Sequence, residues 1–274
     1  MNGVTAPETA STSLAERYSP DELDQFARDG AVIVRGLVDA ETLRLMREAT
    51  RRGLEGPIGP VEYEADVRYP GAPPSRAAAG GETIRRLKAA HGRDPVFTEW
   101  VSRPEVTGRL EQVLGGRVVM PLAHHNCIMT KQPAWGSVTR WHQDIRYWSF
   151  ARPELVNLWI ALGHEEESNG GLLVIPGTHR MTFARDRLDE ALFLREDHPE
   201  NAPLIAARRP VELEPGDVLM FHCLTFHAAG QNHSSATKCS AVFTFRHVDN
   251  LPRPGTRSSA MGELLLPSAS RDRA

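Results

Sequence analysis

Apolar positions recur at two different periods along this chain, and the change of period divides it. Ser19-Pro20-Asp21-Glu22-Leu23 opens the first ordered stretch, with a hydroxyl suited to capping a helix, proline at its first position and acids at its positive end. Leu23, Phe26 and Ala27 follow at helical spacing, so a helix is expected that Gly30 terminates. Ala31-Val32-Ile33-Val34-Arg35-Gly36-Leu37 reads as a short β-strand, and Asp39 caps a second helix running through Leu43, Leu45 and Met46 towards Arg52. Residues 53 to 81 are dense in Gly, Pro and Ala; the first two disfavour regular structure, so a long loop is expected, either a lid or binding segment or a disordered excursion.

From Val118 onward short apolar runs alternate with turn residues, at 118–130, 139–146, 156–164, 172–175, 211–213, 218–222 and 239–247. Strands at that spacing, with Glu214-Pro215-Gly216-Asp217 as a tight turn, predict an antiparallel sandwich or barrel. Helices and strands do not alternate here, which disfavours a doubly wound parallel sheet. The expected organisation is a flexible N-terminus over 1–18 and a single domain over 19–274, mainly β with N-terminal helices, whose barrel core covers about 118–248.

Composition narrows the function classes more than the fold. With 41% hydrophobic and 24% charged residues among 274, the chain is an ordinary globular one. A formal charge of -3 lacks the basic excess that neutralises nucleic-acid phosphates. Cys127, Cys223 and Cys239 are odd in number and lack C-x-x-C spacing, so neither a disulfide framework nor a zinc knuckle is expected, and a reducing cytoplasm fits. The first 19 residues lack the basic flank and apolar centre of a signal peptide, and no apolar run approaches the ~18 residues that span a bilayer.

Candidate chemistry begins at Trp141-His142-Gln143-Asp144. Two residues separated by one in a strand project to the same face, so His142 and Asp144 can both point into a barrel. An imidazole and a carboxylate that converge suit a divalent first-row metal. His227 is the candidate third ligand, following the strand-like 217–222 and preceding the small residues Ala228-Ala229-Gly230; His222 competes, although its strand context favours a hydrogen-bonded core role. Two histidines and one carboxylate on one face of an octahedron form the facial triad of Fe(II) oxygenases, with three positions left for a bidentate co-substrate and O2. A 2-oxoglutarate co-substrate needs a cation for its distal carboxylate, and Lys238 with Ser240, two apart on one strand face, could supply an ammonium and a hydroxyl.

Six segments, in order, resemble the phytanoyl-CoA dioxygenase family of Fe(II)/2-oxoglutarate oxygenases. They are residues 26–37, Trp141-His142-Gln143-Asp144, residues 156–162, the glycine-led stretch Asn169-Gly170-Gly171 through His179-Arg180, residues 215–221, and His227-Ala228-Ala229-Gly230-Gln231-Asn232. The resemblance implies a double-stranded β-helix, a cupin-like jelly-roll barrel. It assigns His142, Asp144 and His227 to iron, and it places Gln143 and Trp159 near 2-oxoglutarate. Two departures stand out: the family's usual arginine eleven residues after the distal histidine falls on Lys238 (238 − 227 = 11), and a serine often found two residues after it is Ala229. Lysine keeps the charge but loses the planar fork that grips a carboxylate. Arg246 shares strand parity with Lys238 and is the reserve anchor.

The implied reaction is oxidative decarboxylation of 2-oxoglutarate to succinate coupled to hydroxylation of an aliphatic C–H. Asp144 stands where halogenating relatives carry a small residue, so hydroxylation is expected before halogenation, with desaturation or cyclisation open. A metal-dependent hydrolase and a non-catalytic cupin-like binding protein are the competing readings. Among further polar residues, Arg146, Tyr147 and Trp148 could line the barrel mouth, Arg180 could meet an anionic substrate, and one of His124 and His125 could face the cavity. The substrate expected is a small or medium-sized acid, since no strong basic cluster marks a coenzyme A phosphate site.

Overall fold

The computed structural model describes residues 16–269, and the chain enters it along the predicted helix, α1 (Pro20–Asp29). The Ser19 hydroxyl accepts from the Glu22 N–H while the Glu22 carboxylate accepts from the Ser19 N–H. Two otherwise orphaned donors are thereby satisfied. Gly30 ends the helix at φ 75°, in the left-handed region. Of the stretch expected to be flexible, residues 1–15 lie outside the described residues, and Tyr18 is buried with its hydroxyl 3.5 Å from Met220 Sδ.

The following elements are β1 (Ala31–Val34), α2 (Ala40–Glu55), β2 (Val61–Tyr63), β3 (Ile84–Lys88), α3 (Pro95–Val101), α4 (Pro104–Leu114), β4 (Val118–Pro121), β5 (Asn126–Lys131), β6 (Thr139–His142), β7 (Leu155–Ala161) and β8 (Leu172–Val174). After these come α5 (Ala202–Ala206), β9 (Arg209–Pro210), β10 (Val218–His222), β11 (His227–Ala229), β12 (Lys238–His247) and β13 (Glu263–Leu265). The larger sheet runs β1-β10-β7-β12-β5-β3-β2, with β4 also on β12 and β13 on β4. The smaller sheet runs β6-β11-β8-β9.

Alternation along the central strands explains both faces of the larger sheet. Val156, Leu158 and Ile160 of β7 and Phe243 and Phe245 of β12 join Phe97, Trp100 and Leu110 of α3 and α4 in one core. Trp159 and Ala161 of β7 and Val242 of β12 turn the other way, meeting Leu172, Leu219 and Phe221 between the sheets. A strand buried on both faces loses its polar alternation, which is why β7 reads as a nearly continuous apolar run.

Several expectations change in detail. The run 118–130 divides into β4 and β5, and His124 and His125 sit in the turn between them rather than on a strand. The stretch 53–81 is not wholly loop: α2 continues to Glu55, and β2 pairs with β3, the Lys88 N–H reaching the Pro60 carbonyl and the Glu64 N–H that of Thr83. Edge pairing supplies the backbone partners that local propensity does not.

Gly30 joins the N-terminal layer to the barrel. Its carbonyl accepts from the His222 N–H at 2.9 Å and the Thr225 hydroxyl at 2.9 Å, in the loop leading to β11. A Cβ there would lie 2.3 Å from His179 Nδ1 and 2.5 Å from Thr225 Oγ1. Gly30→Ala combines left-handed strain with overpacking, and a loss of about 2 kcal/mol or more in urea unfolding is expected; an unchanged midpoint would remove the joint from the fold's supports.

Candidate metal centre

Strand pairing builds the site. His142 ends β6 directly opposite His227, the first residue of β11, and their rings lie 4.2 Å apart between centroids. Asp144 is not on the strand as parity had suggested; β6 ends at His142 and Asp144 begins a 3-10 turn, which still swings its carboxylate to the same place. Its Oδ1 lies 3.6 Å from His142 Nε2 and 3.7 Å from His227 Nε2. One ligand atom from each of the three buried residues falls within 4.8 Å of the others.

Neighbouring groups fix the protons. The Nδ1 of His142 donates to the Arg140 carbonyl at 2.8 Å and that of His227 to the Thr225 carbonyl at 3.0 Å. Both Nε2 lone pairs are therefore aimed at the shared space. Burial pushes the His142 imidazole below its ordinary range, and burial together with His142 takes His227 down to about 4. Both rings are thus neutral near pH 7, the form that ligates. For Asp144, burial acts to raise the carboxyl, but His125 and His227 outweigh it and hold it well below the carboxylate range. The donor set fits a divalent first-row metal with an open face.

A supporting layer was only partly legible. His125, weighed above as a cavity residue, donates from Nε2 to Asp144 Oδ1 at 3.0 Å. Asn157 donates to Asp144 Oδ2 at 2.9 Å and accepts from the Thr244 hydroxyl at 2.6 Å. Asn157 lies within the strand segment 156–162, and an amide inside that apolar run is its sequence signal. His222 stays out of the cluster: half-buried, it accepts from the Leu224 N–H at 3.1 Å and faces His179.

Below the triad a chamber between the sheets is walled by Met129, Trp159, Leu172, Phe221 and Val242, with Arg85, Arg86, Lys131 and Lys238 also at its lining. The expectation that Lys238 and Ser240 await an incoming carboxylate changes here. Lys238 Nζ donates to Glu165 Oε2 at 3.0 Å, Ser240 to Glu165 Oε1 at 2.6 Å and Trp159 Nε1 to Glu165 Oε2 at 2.9 Å. The reserve anchor Arg246 is paired with Glu263 where β12 meets β4. Gln143 turns the opposite way from His142 and donates to the Leu224 carbonyl at 2.6 Å.

Above the triad a cleft of about 670 Å³ opens onto His142 and Asp144. Tyr69, Tyr147 and Trp148 line it, as do five cations, Arg85, Arg86, Lys88, Arg146 and Arg257, against the two carboxylates of Glu62 and Asp144. Arg146 is held there by the Tyr69 hydroxyl at 3.1 Å and the Ala191 carbonyl at 3.0 Å. Arg180 lines neither space; its turn follows β8 and packs on the end of α1, the Gly177 N–H donating to the Asp29 carbonyl, so the side chain is carried outward into solvent.

Groups that orient metal ligands tune affinity nearly as strongly as the ligands themselves. Asp144→Ala is expected to abolish stoichiometric Fe(II) or Mn(II) binding in anaerobic calorimetry. Asn157→Ala should weaken it by roughly 10–100-fold. Wild-type affinity in both variants would place any metal elsewhere.

Comparison with known proteins agrees with this geometry. Residues 26–240 match the family model described as phytanoyl-CoA dioxygenase. The ectoine dioxygenase of Halomonas elongata is 26% identical over 248 residues, covering 85% of this chain and 71% of that protein. The L-proline trans-4-hydroxylase of Streptomyces griseoviridis is 28% identical over 193 residues, 63% of this chain and 71% of that one. The crystal structure of EctD from S. alaskensis with bound Fe superposes with a TM-score of 0.75 at 20% identity, covering 94% of this chain and 89% of its own, and so shares the double-stranded β-helix fold. The chain belongs to the phytanoyl-CoA dioxygenase family.

Proposed function

We propose that this chain is an iron(II)- and 2-oxoglutarate-dependent dioxygenase that hydroxylates an aliphatic C–H bond of a small or medium-sized acid, with His142, Asp144 and His227 as the iron ligands. The observation that carries the reading is the buried convergence of those three side chains, with both imidazoles presenting Nε2. Relatives named for ectoine and for L-proline support a small-molecule substrate, and structures of EctD with Fe and with 2-oxoglutarate and 5-hydroxyectoine support the co-substrate.

When bound, iron(II) with 2-oxoglutarate and O2 supplies the oxidising chemistry that turns C–H into C–OH as 2-oxoglutarate becomes succinate and CO2. The chain's own residues supply placement. Asp144, held at both oxygens by His125 and Asn157, cannot rotate away from the imidazoles. Trp159, Phe221 and Val242 give the chamber below the triad an apolar wall, which limits water on the co-substrate's side. The cleft above is sized for a metabolite and carries an excess of cations, which favours an acidic substrate. Arg146, stacked over Phe193 at 3.7 Å, and Tyr147 stand at its rim as substrate-contacting candidates.

Free thiols at Cys127, Cys223 and Cys239 accord with a cytoplasmic setting. No helix among the described residues is long and apolar enough to cross a membrane.

Anaerobic addition of 2-oxoglutarate to the Fe(II)-loaded protein is expected to develop the weak visible charge-transfer band of the chelate, and exposure to air with substrate to release succinate stoichiometrically. Absence of both band and succinate would defeat the reading.

A further inference from the structure

The arginines and lysines that line the barrel chamber have a carboxylate within ion-pair distance, some sharing one, with a single exception among the described residues. Arg85 pairs with Glu64 and Glu62, and Arg86 and Lys88 with Glu62. Lys238 pairs with Glu165, whose two oxygens also take the Ser240 hydroxyl and the Trp159 N–H. Lys131, 7% exposed and directly opposite Lys238 in the β5–β12 register, has no carboxylate within ion-pair distance among the described residues. Its ammonium donates to the carbonyls of Ser137 and Gly230. An ammonium has three N–H donors, so one is left over.

A buried cation that meets only neutral dipoles is costly unless an anion completes its shell. We propose that Lys131, and not Lys238, receives the distal carboxylate of the 2-oxo acid co-substrate, with Glu165 serving as the permanent counter-ion that removes Lys238 from that role. The assignment rests on the functional reading above. At Lys238 a second carboxylate would face Glu165 across one ammonium, with the Ser240 and Trp159 donors already taken, and like charges so close cannot both stay ionised without penalty.

Placement supports the assignment. Lys131 lines the same chamber as His142, Asp144 and His227. Its partner carbonyl, Gly230, lies three residues beyond His227, roughly 10 Å of extended chain. That is the reach of a five-carbon diacid with a metal contact at one end and a hydrogen bond at the other. Glycines leave room for the Lys131 stem: a Cβ on Gly170 would stand 3.3 Å from it, and one on Gly136 3.4 Å. Burial, with Arg85 nearby, lowers the ammonium to about 7 although Glu64 acts to raise it, and an arriving carboxylate would favour the charged form.

Calorimetric titration of the Mn(II)-loaded full chain with 2-oxoglutarate and with 2-oxovalerate, which carries a methyl in place of the distal carboxylate, isolates recognition of that group. Wild type should prefer 2-oxoglutarate by about tenfold or more, the worth of a charge-assisted hydrogen bond. Lys131→Met should bring the preference to near unity while leaving Mn(II) affinity within about threefold, and the double variant Lys238→Met/Glu165→Gln, which deletes a neutral pair, should retain it. The double variant decides the matter even where Lys131→Met does not fold, because loss of preference there would make Lys238 the anchor and overturn the assignment. A preference that survives in Lys131→Met would overturn it as well. Wild type that binds Mn(II) but neither 2-oxo acid would instead overturn the functional reading, and this assignment with it.

Discussion

A carboxylate almost removed from water is the constraint around which the barrel is arranged. Asp144 is 4% exposed, and an ionised group there is tolerated only if hydrogen bonds and opposite charge replace its hydration. His125 and Asn157 supply two such bonds, Thr244 fixes Asn157, and the Nε2 atoms of His142 and His227 stand at nearly equal distances on the remaining side. These groups come from the β4–β5 turn, β7, β12, β6 and β11, so the carboxylate ties the two sheets together. What the fold leaves unfinished is a point between two neutral imidazoles and an anion, which is what a divalent cation completes.

The same accounting of charge separates the spaces on either side. Inside the chamber, Lys238 has Glu165, and Arg85 and Arg86 share Glu62, with Glu64 also on Arg85, whereas Lys131 is without a carboxylate at ion-pair distance among the described residues. In the cleft above, cations outnumber carboxylates: Arg85, Arg86 and Lys88 share Glu62, and Arg146 is held over the Phe193 ring and by the Ala191 carbonyl. A low-dielectric chamber beside a cationic cleft gives the two small molecules different environments.

Much of this was legible because it depends on local pattern. The capped start of α1, the Gly30 stop and the central strands follow from periodicity and turn chemistry. His142 and Asp144 announce themselves by spacing, and His227 by its small neighbours, although the turn that delivers Asp144 was not foreseen. What stayed hidden depends on pairings distant in sequence. Lys238 looks free along its own strand, and only folding brings Glu165 to it across 73 positions. Lys131 looks like an ordinary strand lysine until β12 and the Gly230 carbonyl close around it. The β2–β3 ribbon was obscured because glycine and proline dominate the composition around it.

The central claim is that His142, Asp144 and His227 together hold one iron. X-ray absorption at the iron edge of the anaerobic Fe(II)-loaded protein tests it most directly. The account predicts scattering from two imidazoles plus oxygen ligands in wild type, one imidazole in His227→Ala, and an unaltered spectrum in His222→Ala. Iron without imidazole scattering, or a spectrum that changes with His222 and not with His227, would contradict it.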